Sequence, residues 1–403
     1  MGKPSTSSRR GAAGEAAAKP RAVVVDGNRL TLLADGPERL EALIGLIDDA
    51  RHSVRMLYYT FLTGRSAEQV KDALHRALDR GVSVALLIDG FGSSTTADGY
   101  FTDLSKSGAK FCRFHPSFGR RYLLRNHQKL ALADGETRHA RAIIGGFNIS
   151  DDYFGTVEEG AWRDIGLIVE GSAAARLAPY FDKLIAWAVS PKAEMRRLRY
   201  LIRKYSETSG ALQWQLGGPT PRLSPWGVST CKDLAHSRDV EMIAAYFAPN
   251  WGFLKRIARA GKRGRARVIT AAKSDNNATI AAARFTYGGL IKRGVEIFEY
   301  QPTKLHTKLV VLDNVVHVGS SNVDIRSLYL NVELMLRVDD ARFAKAMRAH
   351  FEGELSQCLA ITPQLQKKRA KLLNRIRWAL SFFLVTSFDY GVTRRLNFNL
   401  AGD

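Results

Sequence analysis

The chain has 403 residues, 45% hydrophobic and 25% charged, which is the balance of a globular protein with room for one large or two ordinary domains. Its formal net charge of +21 asks for an anionic partner, whether nucleic acid, an acidic membrane surface or a phosphorylated substrate, without choosing among them. Cys112, Cys231 and Cys358 are too widely spaced for a metal site or a disulfide framework and suit a reducing compartment.

Along the chain, residues 1–21 are small, polar and basic without an apolar stretch, so a disordered basic tail is expected rather than a signal peptide. A first half is expected over residues 22–190. In it SVRMLYYTFL predicts a strand, AEQVKDALHRALDRG an amphipathic helix, VSVALLIDG a buried strand and KFCRF a short strand. Then comes NHQKLALAD, in which His127 and Lys129 precede an apolar run closed by Asp134. RAIIGGFNIS and WRDIGLIVEG complete the half. Residues 191–210 form a basic connector, where Met195, Leu198, Leu201, Ile202 and Tyr205 recur at helical spacing. Such a helix either packs on the domain or faces a membrane.

A second half, residues 211–363, repeats the first. DVEMIAAYFAP, FLKRIARAGKRG, ARVITAAKSD and VEIFEY come in the same order, and KLHTKLVVLDN sets His306, Lys308 and Asp313 at the spacing of His127, Lys129 and Asp134. VVHVGSSNVD and NVELMLRVDD answer the two segments that close the first half. Strands alternating with helices of this length imply an α/β protein of two pseudo-symmetric α/β/α sandwich halves, with mostly parallel sheets, packed around one active-site cleft. Residues 364–403 add six basic residues leading into the apolar run from Trp378 to Phe388, which is too short to span a bilayer. It suits a segment lying on an acidic leaflet, with 364–397 as the docking region, or else a helix that closes the core.

Alternate residues of a strand point the same way, so His127 and Lys129 share a face, as do His306 and Lys308. A neutral imidazole can attack phosphorus and later leave, a second imidazole can pass a proton to and from the alcohols, and two lysines can hold the phosphoryl oxygens. One histidine from each half would therefore complete a phosphodiester-transfer site. Asp164 and Glu333, at matching places in the halves, are candidates to orient the histidines. Asn148, Asn322 and Ser320 are candidate phosphate ligands, and Gly146 stands where Ser320 does in the other half.

The paired HxKxxxxD motifs resemble those of the phospholipase D superfamily, over about residues 22 to 363. YQPTKLHTKLVVLDN followed by VGSSNVDIRSLYLNVE is similar to the bacterial cardiolipin synthases of the peripheral, non-transmembrane branch. The resemblance implies that His127 is the nucleophile forming a phosphatidyl-histidine and His306 the general acid and then base. Lys129, Lys308, Asn148 and Asn322 would bind phosphate, with no cofactor and no metal. It counts Asp134 and Asp313 among the catalytic residues, although the far end of the strand suits pinning a turn or an ion pair. The implied reaction converts two phosphatidylglycerol molecules to cardiolipin and glycerol on the cytoplasmic face of the bacterial membrane, by a peripheral protein active as a monomer. The rivals are a phospholipid hydrolase, a nuclease of the same superfamily and an inactive lipid-binding scaffold. The nuclease has little use for the C-terminal apolar run, so nucleic acid is the less favoured partner.

Overall fold

The computed structural model describes residues 22–114, 124–190 and 193–388. The N-terminal tail, residues 115–123 of the basic loop before His127, and the C-terminal segment beyond residue 388 lie outside them. The described residues build two eight-stranded sheets. The first contains β1 (Val23–Val25), β2 (Asn28–Leu33), β3 (Ser53–Tyr58), β4 (Ser83–Asp89), β5 (Lys110–Phe114), β6 (Lys129–Ala133), β7 (Arg141–Gly145) and β8 (Gly166–Glu170), in the order β1-β2-β8-β7-β6-β3-β4-β5. After β9 (Leu212–Gly217), β10 (Asp239–Ala244) and the short β11 (Phe247–Ala248) come β12 (Arg265–Ala271), β13 (Val295–Tyr300), β14 (Lys308–Leu312) and β15 (Val315–Gly319). β16 (Val323–Asp324), β17 (Glu333–Asp339) and β18 (Cys358–Ala360) follow. The second sheet runs β18-β13-β12-β10-β14-β15-β17-β9, and β11 pairs separately with β16.

The repeat read from the sequence is therefore a repeat of topology, but the expectation of mostly parallel sheets is wrong. Within the two sheets only β3-β4-β5 and β10-β12-β13 are parallel, and the other pairings are antiparallel. The reason lies in the connections. Helical crossovers join the parallel trios, whereas β6 to β7 and β14 to β15 are joined by short turns that force the chain to reverse.

Those turns explain the last residue of each motif. Asp134 and Asp313 have φ of 52° and 50°, left-handed values that aspartate tolerates at a turn. The Asp134 carboxylate accepts hydrogen bonds from the backbone N–H groups of Arg51, His52 and Ser53, at 3.1, 2.7 and 3.1 Å. Asp313 accepts from Arg238 and Asp239, at 3.1 and 2.9 Å. Each carboxylate ties the end of its motif strand to the start of the neighbouring strand.

Alternation along β6 and β14 links the halves. Leu130, Leu132, Leu309 and Val311 belong to one continuous core that also holds residues of the connector helix Met195–Tyr205. Ala131 and Ala133 face the first half's own core, and Val310 and Leu312 the second's. Leu198, Leu201 and Ile202 are buried there, so the connector packs on the protein through its apolar face. At the far end the helix Leu372–Phe383 lies against the helix Asn277–Ile291, with Trp378 and Phe382 buried. No described helix is long and apolar enough to cross a membrane.

Candidate active site

Both motifs open onto one cleft of about 710 Å³, lined by His127 and Asn148 from the first half and His306 and Asn322 from the second. Two short parallel bridges, Asn126 with Val332 and Arg163 with Leu305, cross between the halves. In the first, Val332 N–H donates to the Arg125 carbonyl and His127 N–H to the Val332 carbonyl, both at 2.8 Å. In the second, Arg163 N–H donates to the Lys304 carbonyl at 2.8 Å and His306 N–H to the Arg163 carbonyl at 2.7 Å. Each histidine is thereby set beside the carboxylate that follows the partner segment.

The pairs are consequently crossed. His127 Nδ1 lies 3.0 and 3.1 Å from the Glu333 oxygens, and His306 Nδ1 lies 2.6 Å from Asp164 Oδ2. A Nδ1–H donating to a carboxylate leaves Nε2 as the free lone pair. Both carboxylates are fully buried. Burial would raise them, but the facing histidine and the lysines hold both below the ordinary carboxylate range. Burial in turn lowers both imidazoles to about 4, overriding the carboxylates, so they are neutral in the free protein at pH 7.

Lys129 and Lys308 are buried between the pairs, and each ammonium donates to the carbonyl of its own motif histidine, at 2.6 Å for Lys129. Burial lowers Lys308 to about 8 and Lys129 well below its usual value. These are compact groups held away from bulk water, ready for an anion. Asn148 is fixed by accepting from Thr60 N–H and donating to the Tyr153 hydroxyl, each at 3.1 Å. Asn322 is buried with its Oδ1 unpartnered among the described residues.

Ser320 sits elsewhere than expected of a phosphate ligand. Its hydroxyl donates to Glu333 at 2.5 Å, and Ser327 donates to the other oxygen at 2.8 Å, so Ser320 buttresses the carboxylate. The first half has Gly146 at this place because a Cβ there would stand 2.6 Å from Asp164 Oδ1. The pairs Gly146 with Asp164 and Ser320 with Glu333 are thus two sizes of one device. Asp134 and Asp313, grouped with the catalytic residues by their motif, are not brought to the cleft. Five residues beyond each lysine along an extended strand, they stand roughly 16 Å away at the opposite end of a central strand.

Several cleft residues carry no sequence signal. Tyr59 packs edge-on to His127 at 4.9 Å between ring centroids, and Tyr153 and Trp162 pack on His306 at 5.1 and 5.6 Å. Asp89 accepts from Asn126 N–H at 2.7 Å and so anchors the approach to His127. Arg125 and Arg326 line the cleft and act electrostatically on Tyr59, and Asp275, also in its lining, accepts from the Tyr246 hydroxyl at 2.5 Å. The arginines are hidden in a strongly basic chain, and the aromatics look like core.

Known proteins share this architecture. A phosphatidylserine synthase from Haemophilus influenzae superposes with a TM-score of 0.69 over 91% of this chain and 95% of that one, at 13% identity, which is a likeness of fold. A cardiolipin synthase of Listeria monocytogenes is 29% identical over 359 residues, covering 87% of this chain and 73% of its own. Cardiolipin synthase 1 of Staphylococcus epidermidis is 27% identical over 361 residues, covering 87% and 72%. Residues 43–185 and 231–355, well over half of the chain, match the family model described as cardiolipin synthase, PLD-like domain, and the chain belongs to that family of phosphatidyltransferase-type enzymes.

Proposed function

We propose that the protein joins two phosphatidylglycerol molecules into cardiolipin, releasing glycerol, through a covalent phosphatidyl-histidine. The observation that carries this reading is the pair of crossed histidine–carboxylate contacts, His127 with Glu333 and His306 with Asp164, around two buried lysines in one cleft. The names of its relatives supply the lipid.

In the first step His127 Nε2 attacks phosphorus, the bond from phosphorus to the glycerol oxygen breaks, and His306 gives that oxygen its proton. In the second, His306 takes the proton of the terminal hydroxyl of another phosphatidylglycerol. That oxygen displaces His127 and cardiolipin leaves. Lys129, Lys308, Asn148 and Asn322 hold the non-bridging oxygens, whose charge grows in each transition state. His306 is neutral in the free protein, so the phosphodiester anion has to bring its proton with it by favouring the charged ring. Asp164 and Glu333 orient the rings, while Asp134 and Asp313 act on the frame alone. Both motifs come from one chain, so a monomer suffices. The enzyme works peripherally, on an anionic leaflet facing the cytoplasm.

The test is incubation of purified protein with phosphatidylglycerol vesicles and a metal chelator, following lipids by mass spectrometry beside His127→Ala and His306→Ala. Cardiolipin and glycerol formed only with both histidines intact support the proposal. Phosphatidic acid and glycerol without cardiolipin make it a hydrolase, and turnover of nucleic acid without lipid turnover makes it a nuclease.

A further inference from the structure

The helix Leu372–Phe383 has more apolar surface than its packing uses. Trp378 and Phe382 are turned inward, and the Phe382 ring lies 4.8 Å from that of Phe285. Leu372, Leu373, Ile376, Leu380, Phe383 and Leu384 are exposed, at 71, 81, 56, 56, 54 and 43%. At about 100° per residue these six fall within an arc of roughly 120°, a continuous ridge rather than scattered residues.

Two further observations say what covers the ridge. Lys367, Lys368, Lys371, Arg375 and Arg377, all exposed, surround it with positive charge. The ridge also leads into the reaction site, because Leu384, its last member, and Val385 line the same cleft as His127 and His306. A protein partner would not need its contact surface to run into the cleft wall. A lipid that must reach phosphorus-attacking groups without leaving its leaflet would.

We infer that this ridge, with its ring of basic residues, is the surface that enters an anionic bilayer. Leu384 and Val385 then form the sill over which a phospholipid passes its headgroup into the cleft while its acyl chains remain in the leaflet. The inference rests on the lipid reading above and names the face that meets the membrane. Burial of a ridge of leucines supplies the apolar attraction, the basic residues supply attraction to acidic headgroups, and neither suffices alone.

The test uses the full chain and a Leu373→Glu/Ile376→Glu/Leu380→Glu variant, whose positions lie outside the cleft lining and are solvent-exposed, so the thermal midpoint should not move. Binding is measured by flotation with vesicles of phosphatidylglycerol and phosphatidylcholine. Turnover is measured on those vesicles and on dihexanoyl phosphatidylglycerol below its aggregation concentration. The expected result is about a hundredfold loss of vesicle binding, a matching loss of vesicle turnover and unchanged turnover of the dispersed lipid. Undiminished vesicle binding, or equal loss on dispersed lipid and vesicles, overturns the inference. So does a wild-type dimer that the substitutions convert to monomer without a change in vesicle binding. If the wild-type chain binds vesicles through this ridge yet turns over no lipid, the reaction reading fails and the docking surface stands.

Discussion

Replacing Glu333 by glutamine should stop the chemistry without unfolding the protein. The amide keeps the shape, and the Ser320 and Ser327 hydroxyls can rotate to suit it. What it removes is a charge 3.0 Å from His127 Nδ1, which carries the developing positive charge when Nε2 bonds to phosphorus. At an effective dielectric of about 20, that attraction is worth about 5 kcal/mol. At about 1.4 kcal/mol per tenfold this predicts a fall of three to four orders of magnitude in turnover. The amide also admits the wrong ring tautomer, a fault that costs a serine-protease triad about 10⁴.

The assay that separates the two pairs is a phosphatidyl ester of p-nitrophenol, whose leaving group departs without a proton. Asp164→Asn should then release nitrophenolate in a burst of one equivalent and turn over slowly, because only the second step still needs His306. Glu333→Gln should show no burst. The opposite pattern would make His306 the nucleophile, and less than tenfold loss in both variants would refute the orienting role of the carboxylates.

Three other outcomes follow from the geometry. Asp134→Ala should lower stability by roughly 3–5 kcal/mol, through three lost charge-assisted backbone bonds and a strained left-handed alanine, while activity per folded molecule stays within about threefold. Urea unfolding alongside turnover checks it, and a catalytic loss at unchanged stability would contradict it. Gly146→Ser should push the Asp164 carboxylate away from His306 and reduce turnover by about a hundredfold, as misplacement by an ångström does. Wild-type activity in that variant would show that the clearance at Gly146 is not needed. Binding of diethyl phosphate, a diester anion that does not itself titrate near pH 7, should take up protons, because an anion beside an imidazole lowered to about 4 raises it again. Titration calorimetry in two buffers of different ionisation enthalpy measures the uptake, His306→Ala should remove it, and no uptake by the wild type would mean that the ring stays neutral.

The two halves, the motif strands and the histidines, lysines and asparagines that meet at the cleft are legible because they are local. A histidine and a lysine two residues apart share a strand face whatever surrounds them, and an unbroken apolar run in a strand must be buried on both faces. The repeat added weight, since two copies fix one pattern. Strand direction is only half legible for an equally local reason: helical crossovers announce parallel pairs, but the short turns after Asp134 and Asp313 reverse the chain.

What the sequence could not decide is who faces whom. Asp164 and Glu333 stand at matching positions, yet nothing in their spacing says that each serves the other half's histidine. That crossing arises from two backbone bridges, Asn126 with Val332 and Arg163 with Leu305, between segments far apart in the chain that meet only once the sheets are packed. The C-terminal helix makes the same point. Its basic and apolar content suited both a core helix and a membrane-facing one, and the fold divides its residues between the two. Trp378 and Phe382 are buried, whereas the leucine ridge is left in solvent beside the cleft. Periodicity fixes which residues share a face of an element, but only packing chooses which face is covered.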